Sequence, residues 1–175
     1  AAVRTLLDAA ATVDHVADDG SSALLKAAGG GHTDAAAMLL DAKANADLAK
    51  KGGATPLLVA AGYGYQALAN ALIAARATVD LALSGPTPVY VAVMQGNTGV
   101  VQALACAKAN LNHADPAGEK SLMNAVQQQN LTLTRILLEA RADTNAAMSA
   151  RAHHSALTLA ACLNDKPAYS LLLQH

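Results

Sequence analysis

The sequence predicts an all-α solenoid of stacked helix pairs, and three observations carry that reading. A four-residue stop recurs five times, at Ala11-Thr12-Val13-Asp14, Ala44-Asn45-Ala46-Asp47, Ala77-Thr78-Val79-Asp80, Ala109-Asn110-Leu111-Asn112 and Ala142-Asp143-Thr144-Asn145, in steps of 33, 33, 32 and 33 residues. After most stops comes a small hydroxyl residue and an apolar helix start, then a small apolar pair and a break. A second helix follows and closes on a paired apolar step. A period this regular marks one supersecondary unit copied in tandem, because a small unit buries its apolar face only against its neighbours.

The units follow in order. Residues 1–16 read as half a repeat, the second helix of a unit with its apolar pair at Leu6-Leu7. Repeat 17–49 starts a helix at Ser22-Ala23-Leu24, breaks at Gly31-His32 and closes on Leu39-Leu40. Repeat 50–82 starts at Thr55-Pro56-Leu57, carries Ala60-Ala61, breaks at Gly64-Tyr65 and closes on Leu72-Ile73. Repeat 83–114 starts at Thr87-Pro88-Val89, breaks at Gly96-Asn97 and closes on Leu104-Ala105. Repeat 115–147 starts weakly at Lys120-Ser121-Leu122 and closes on Leu137-Leu138. The last repeat, 148–175, is distorted: it starts at Ser155-Ala156-Leu157 and closes on Leu172-Leu173. A Thr or Ser hydroxyl before each start can cap the helix, and a proline in the first turn has no amide hydrogen bond to lose. Small residues such as Ala60-Ala61 let successive first helices approach closely. Each large side chain buried on a second helix adds about 1.5–3 kcal/mol.

These residues resemble the ankyrin repeat over the whole chain: a β-turn finger, a Thr-Pro-Leu helix start, a short inner helix, a glycine break and a longer outer helix. The resemblance implies an ankyrin-repeat solenoid of helix-turn-helix units joined by β-turn fingers, forming a single domain over 1–175. Two departures stand out. The histidine that relatives place after Thr-Pro-Leu is Leu25, Leu58, Tyr90, Met123 or Thr158 here, so apolar contact is expected in place of its hydrogen-bond bridge. The glycine that ends the outer helix is replaced by Lys43, Arg76, Lys108 and Arg141, which predicts left-handed non-glycine caps costing about 1 kcal/mol each. The same four cations would complement the helix dipoles. They also form a row that could serve an anionic partner.

Composition narrows the function. The chain has 53% hydrophobic residues, only 2% aromatic ones and a net charge of −1. Such a charge gives no global field for nucleic acid or anionic lipid. No window is long and apolar enough to span a membrane, and the first residues lack the apolar run of a signal peptide. A soluble intracellular location is therefore expected. Cys106 and Cys162 fall two repeats apart, roughly 20 Å at the spacing of packed helices, against the roughly 7 Å limit for a bridge. Both are expected to be buried thiols. The open half-repeat at the start and the bare apolar end at Leu171–Leu173 suggest a piece of a longer chain.

Chemical motifs dissolve into the repeat frame. Gly62-Tyr63-Gly64-Tyr65 mimics a dinucleotide fingerprint, but Gly64 aligns with the breaks at Gly31 and Gly96 and no strand is predicted before it. The six histidines show no helical pairing with each other, and neither cysteine has a helical-spaced histidine or acid beside it. No catalytic group, metal site or cofactor is expected. Asn112 and Asn145 read as turn residues that bond their own backbone.

The resemblance implies a non-catalytic protein–protein interaction module, gripping its partner through the fingers and the exposed face of the inner helices. Carried over residue by residue, the contacts fall on Asp18, Asp19, Lys51, Tyr63, Met94, Gln95, Glu119, Gln127, Gln128, Arg151 and His154, with Gly29 and Cys162 on the same face. Tyr63, Arg151 and Met94 stand out by residue type. The lengthened finger carrying Arg151, His153 and His154 is expected to protrude. The expected partners are proteins, alone or within a large complex, with no nucleic acid, no membrane insertion and no small-molecule substrate. The rival readings are a targeting or regulatory arm of a larger enzyme or channel, and a structural subunit of a multiprotein assembly.

Overall fold

A computed structural model describes residues 3–5, 9, 11–83, 85–113, 120–145 and 155–175. Among them, ten helices run as five inner–outer pairs. The inner helices are α1 (Ala23–Gly29), α3 (Pro56–Tyr63), α5 (Pro88–Met94), α7 (Ser121–Gln127) and α9 (Ala156–Cys162). The outer helices are α2 (Thr33–Asp41), α4 (Gln66–Ala74), α6 (Thr98–Cys106), α8 (Leu131–Glu139) and α10 (Lys166–Leu172). Each inner helix packs on the next inner helix, each outer on the next outer, and each pair on itself. Residues 3–5 are helical ahead of the stack. The Leu6-Leu7 pair lies outside the described residues. No strand occurs among the described residues; an antiparallel bridge joins Val16 and Ser22 at the base of the first finger, and Lys120 is also bridged.

Helix starts follow hydroxyl chemistry. The side chains of Ser22, Thr55, Thr87 and Ser155 accept from the backbone N–H three residues on, at 3.2, 3.2, 3.4 and 3.3 Å. Lys120 makes no such bond at the head of α7. There the buried hydroxyl of Ser121 finds no hydrogen-bond partner. The hydroxyl sits one residue late, where the proline stands in α3 and α5.

Helix ends follow backbone handedness. Gly31, Gly64 and Gly96 break the first three pairs at φ of 67°, 76° and 72°, while Gln129 and Asn164 adopt φ of 54° in the last two. The outer helices end on Lys43, Arg76, Lys108 and Arg141 at φ of 62–68°. All four are exposed. After α4 the N–H of Arg76 bonds the Ile73 carbonyl and that of Ala77 the Leu72 carbonyl, both at 3.0 Å, and the other three ends repeat this pattern. These paired bonds satisfy the last carbonyls of each helix.

One core runs the length of the stack. Its inner row is Leu24, Leu57, Val89 and Leu122, its outer row Leu39, Leu72, Leu104, Leu137 and Leu172, and Ala27, Ala60, Ala92, Ala125 and Ala160 lie between them. Burying Leu25 and Met123 bears out apolar substitution for the missing histidine at those positions. Thr158 is exposed, and Tyr90 departs from the expectation: its hydroxyl accepts from the Asn124 side-chain amide at 3.1 Å, so a polar bridge between repeats survives there.

One expectation is corrected. Cys106 and Cys162 are exposed, not buried. Cys106 is the last residue of α6, at the position that Asp41 and Glu139 hold in α2 and α8, so helical register turns it to solvent. Cys162 ends α9 where Gly29, Met94 and Gln127 end their helices, all of them exposed. Asn112 also reaches into the next repeat. Its Oδ1 accepts from the Asp143 N–H of the next repeat at 2.8 Å. The same link joins Asp14 to Asn45, Asp47 to Thr78 and Asp80 to Asn110, at 2.8–2.9 Å. The local turn bonds belong to the second residue of three of the five stops, with Asn45, Asn110 and Asp143 accepting from the N–H two residues on.

Candidate functional site

At the first two repeats the fingers meet each other and the exposed face of the inner helices. The first finger closes on itself through the Gly20 N–H to the Ala17 carbonyl at 2.8 Å. It then touches the second along its edge, because the Lys51 N–H bonds the Asp19 carbonyl at 3.1 Å and the Lys51 ammonium the Asp18 carbonyl at 2.7 Å. Gly20, at φ of 79°, allows this approach: a Cβ there would stand 3.0 Å from the Lys51 nitrogen.

Between these fingers and the exposed face of α1 and α3 opens a cleft of about 330 Å³. Asp19, Ser21, Lys26 and Lys50 line its polar side, and Leu25, Gly29, Val59 and Tyr63 its apolar side. Asp19 accepts from the Ser21 hydroxyl at 2.7 Å, from the Ser21 N–H at 2.9 Å and from the Lys26 ammonium at 3.2 Å. The Ser21 bonds, and secondarily Lys26, hold this carboxyl below the usual carboxylate range. It is therefore ionised and already engaged. Among the described residues the Lys50 side chain has no partner.

Tyr63 is 67% exposed and stacks on Tyr65, with ring centroids 5.7 Å apart and planes 27° from parallel. Tyr65 in turn lies over Gly31, where a Cβ would stand 2.8–3.1 Å from its ring. The exposed aromatic is thus held in place by a buttress two residues on and a glycine one repeat back.

Of the contacts expected from sequence, the cleft brings together Asp19 and Tyr63, with Asp18 and Lys51 joined beside it. Met94 and Gln95 follow at the end of α5, and Gln127 and Gln128 at the end of α7, all exposed. Gln128 is turned toward its own stack: its amide donates to the Val93 and Met94 carbonyls at 3.1 and 3.3 Å. Asn97 does the same one repeat earlier, donating to Ala61 and Gly62 at 2.8 and 3.1 Å. Glu119, Arg151 and His154 lie outside the described residues, as does His153. Sequence reasoning missed Lys26, Lys50 and Val59. The available signal was the repeat frame itself, since Lys26 and Val59 share one register, three residues before the aligned glycines Gly29 and Gly62.

Among the described residues, no helix is long and apolar enough to cross a membrane. A family profile of ankyrin repeats (3 copies) matches residues 1–82 and again 75–148. No curated protein matches the chain.

Proposed function

Because the chain belongs to the ankyrin-repeat family, whose repeats are generally protein–protein interaction modules, we propose that it is a non-catalytic scaffold that binds a protein partner through its fingers and the exposed face of its inner helices. The observation that supports this reading is the cleft between the first two fingers. It places an exposed, buttressed tyrosine, apolar walls and an unpartnered lysine on one surface. Interfaces concentrate their energy in such aromatic anchors set in pockets. The contact row continues from Asp18, Asp19, Lys51 and Tyr63 to Met94, Gln95, Gln127 and Gln128. Glu119, Arg151 and His154 are assigned to it by their place in the repeat.

Crosslinking mass spectrometry on the protein in its native extract tests this. The expected result is reproducible links from the finger lysines Lys50 and Lys51 to one other protein, with few from Lys43 and Lys108 at the outer-helix ends. Links from the outer-helix lysines alone would move the interface to the row of cations. Links confined to the parent chain would make the repeats an internal scaffold and overturn the reading.

A further inference from the structure

We propose that the cleft between the first two fingers receives an extended segment of the partner carrying an acidic residue beside a large apolar one, with the carboxylate on Lys50 and the apolar side chain over Gly29. The inference rests on the interaction-module reading and names the chemistry of the partner.

Charge accounting selects the acid. Three charged side chains line the cleft, Asp19, Lys26 and Lys50. Asp19 is answered by Ser21 and Lys26, and those bonds neutralise the pair. Lys51, the other cation of the second finger, is directed to the Asp18 carbonyl. Lys50 is left as the uncompensated charge, so the lining is net positive by one. A single cation with no array of backbone donors beside it suits one carboxylate rather than a polyanion.

The walls select the apolar neighbour. Leu25 and Val59 face the cleft, and Tyr63 stands beside them with its ring fixed by Tyr65. Gly29 adds no side chain, and a Cβ built there meets nothing within 4 Å. The floor is therefore open, and a free phosphate or lone anion would leave these apolar atoms wet. At about 330 Å³ the space is at the lower end for a binding pocket and takes a few side chains of a peptide. Because the aromatic wall is ordered in advance, little side-chain entropy is lost on binding.

The test is panning of a phage-displayed random dodecapeptide library on the full chain and on two variants. Gly29→Trp fills the floor at a position without positive φ and with open space around it, so folding is checked by an unchanged urea midpoint. Lys50→Glu reverses the single charge. The expected result is enrichment of sequences with Asp or Glu within two residues of a large apolar residue. Gly29→Trp should abolish binding of the winning peptide. Lys50→Glu should weaken it by about tenfold, with partial rescue by a peptide carrying Lys in place of the acid. Peptides without an acid, or binding that survives Gly29→Trp, would overturn the cleft while leaving the interaction module standing. No enrichment at all would overturn the peptide assignment, and only crosslinks confined to the parent chain would remove the module as well.

Discussion

The first three helix pairs and the last two are built to the same plan from different materials. In the first three, α1, α3 and α5 start under a Ser or Thr hydroxyl and give way to the outer helix at a glycine with positive φ. In the last two, Gln129 and Asn164 occupy that left-handed turn, and α7 starts at Lys120 with no side-chain cap and a stranded Ser121 hydroxyl beneath it. The difference teaches that the fold is fixed by the recurring stops and the shared core. Individual caps tune the stability of each unit. The outer helices reverse the contrast, since α8 and α10 start under the Asn130 and Asp165 side chains while α2, α4 and α6 have no side-chain cap, so the cleft sits where the inner-helix starts and turns, and not every cap, fit best.

The comparison breaks most easily at the glycine turns. Gly64→Ala should destabilise by about 2 kcal/mol, because alanine is disfavoured in the left-handed region and its Cβ would stand 2.6 Å from Asn97 Oδ1. The displaced Asn97 would also release its bonds to the end of α3. The reverse exchange, Gln129→Gly, should stabilise by about 1 kcal/mol by relieving the same backbone conformation. Urea midpoints of the two variants decide it. Equal and small effects would mean that the two regions tolerate this turn alike.

The second difference lies at the head of α7. Lys120→Thr supplies the missing hydroxyl acceptor in an extended residue already suited to capping, and should raise stability by about 1 kcal/mol. Thermal or urea unfolding of this variant beside Thr87→Lys, which should lose a similar amount, sharpens the comparison. A gain from Lys120→Thr without a loss from Thr87→Lys would show that neighbouring packing, and not the cap, decides this start.

A smaller effect is shared by both regions. Arg76→Gly removes a non-glycine residue from φ of 65°, worth about 1 kcal/mol, but also removes a cation from the negative end of α4, worth about 0.3–1 kcal/mol. A net gain of about 0.5 kcal/mol is expected in the unfolding midpoint. A net loss would make the row Lys43, Arg76, Lys108 and Arg141 a stabilising device.

Much of the fold was legible because its signals are periodic. The stop at Ala77-Thr78-Val79-Asp80 and the start at Thr87-Pro88 can be read within a few residues, and their helix ends and caps stand where that reading puts them. The links from Asp47 to Thr78 and from Asn112 to Asp143 were not legible, because a turn residue read locally suggests a bond two residues away, while the real partner is 31 residues on. The exposure of Cys106 was legible from Asp41 and Glu139 in the same register, but residue type was weighed instead. The candidate site was read more thinly. Asp19 and Tyr63 come from their places in the repeat, whereas Lys50 and the Tyr63–Tyr65 buttress depend on how two fingers and two helices meet, which no single repeat encodes.

The smallest expected effect tests how firmly the first finger is held. Asp19 in the folded chain titrates below its ordinary value of 3.8 because Ser21, and then Lys26, favour its ionised form. A carboxyl lowered by folding contributes stability that is complete above its unfolded value and is lost as pH falls toward its folded one. Asp19→Asn should therefore have a slightly lower urea midpoint than the natural chain at pH 7, and the gap should narrow as pH falls from 4 to 2.5. Because the group is exposed, added salt should shrink the part due to Lys26 and spare the Ser21 bonds. A gap that stays constant with pH would mean that the Asp19 network orders the cleft wall without stabilising the fold, and the firmness of the first two fingers would then rest on the bonds from Lys51 to the Asp19 and Asp18 carbonyls.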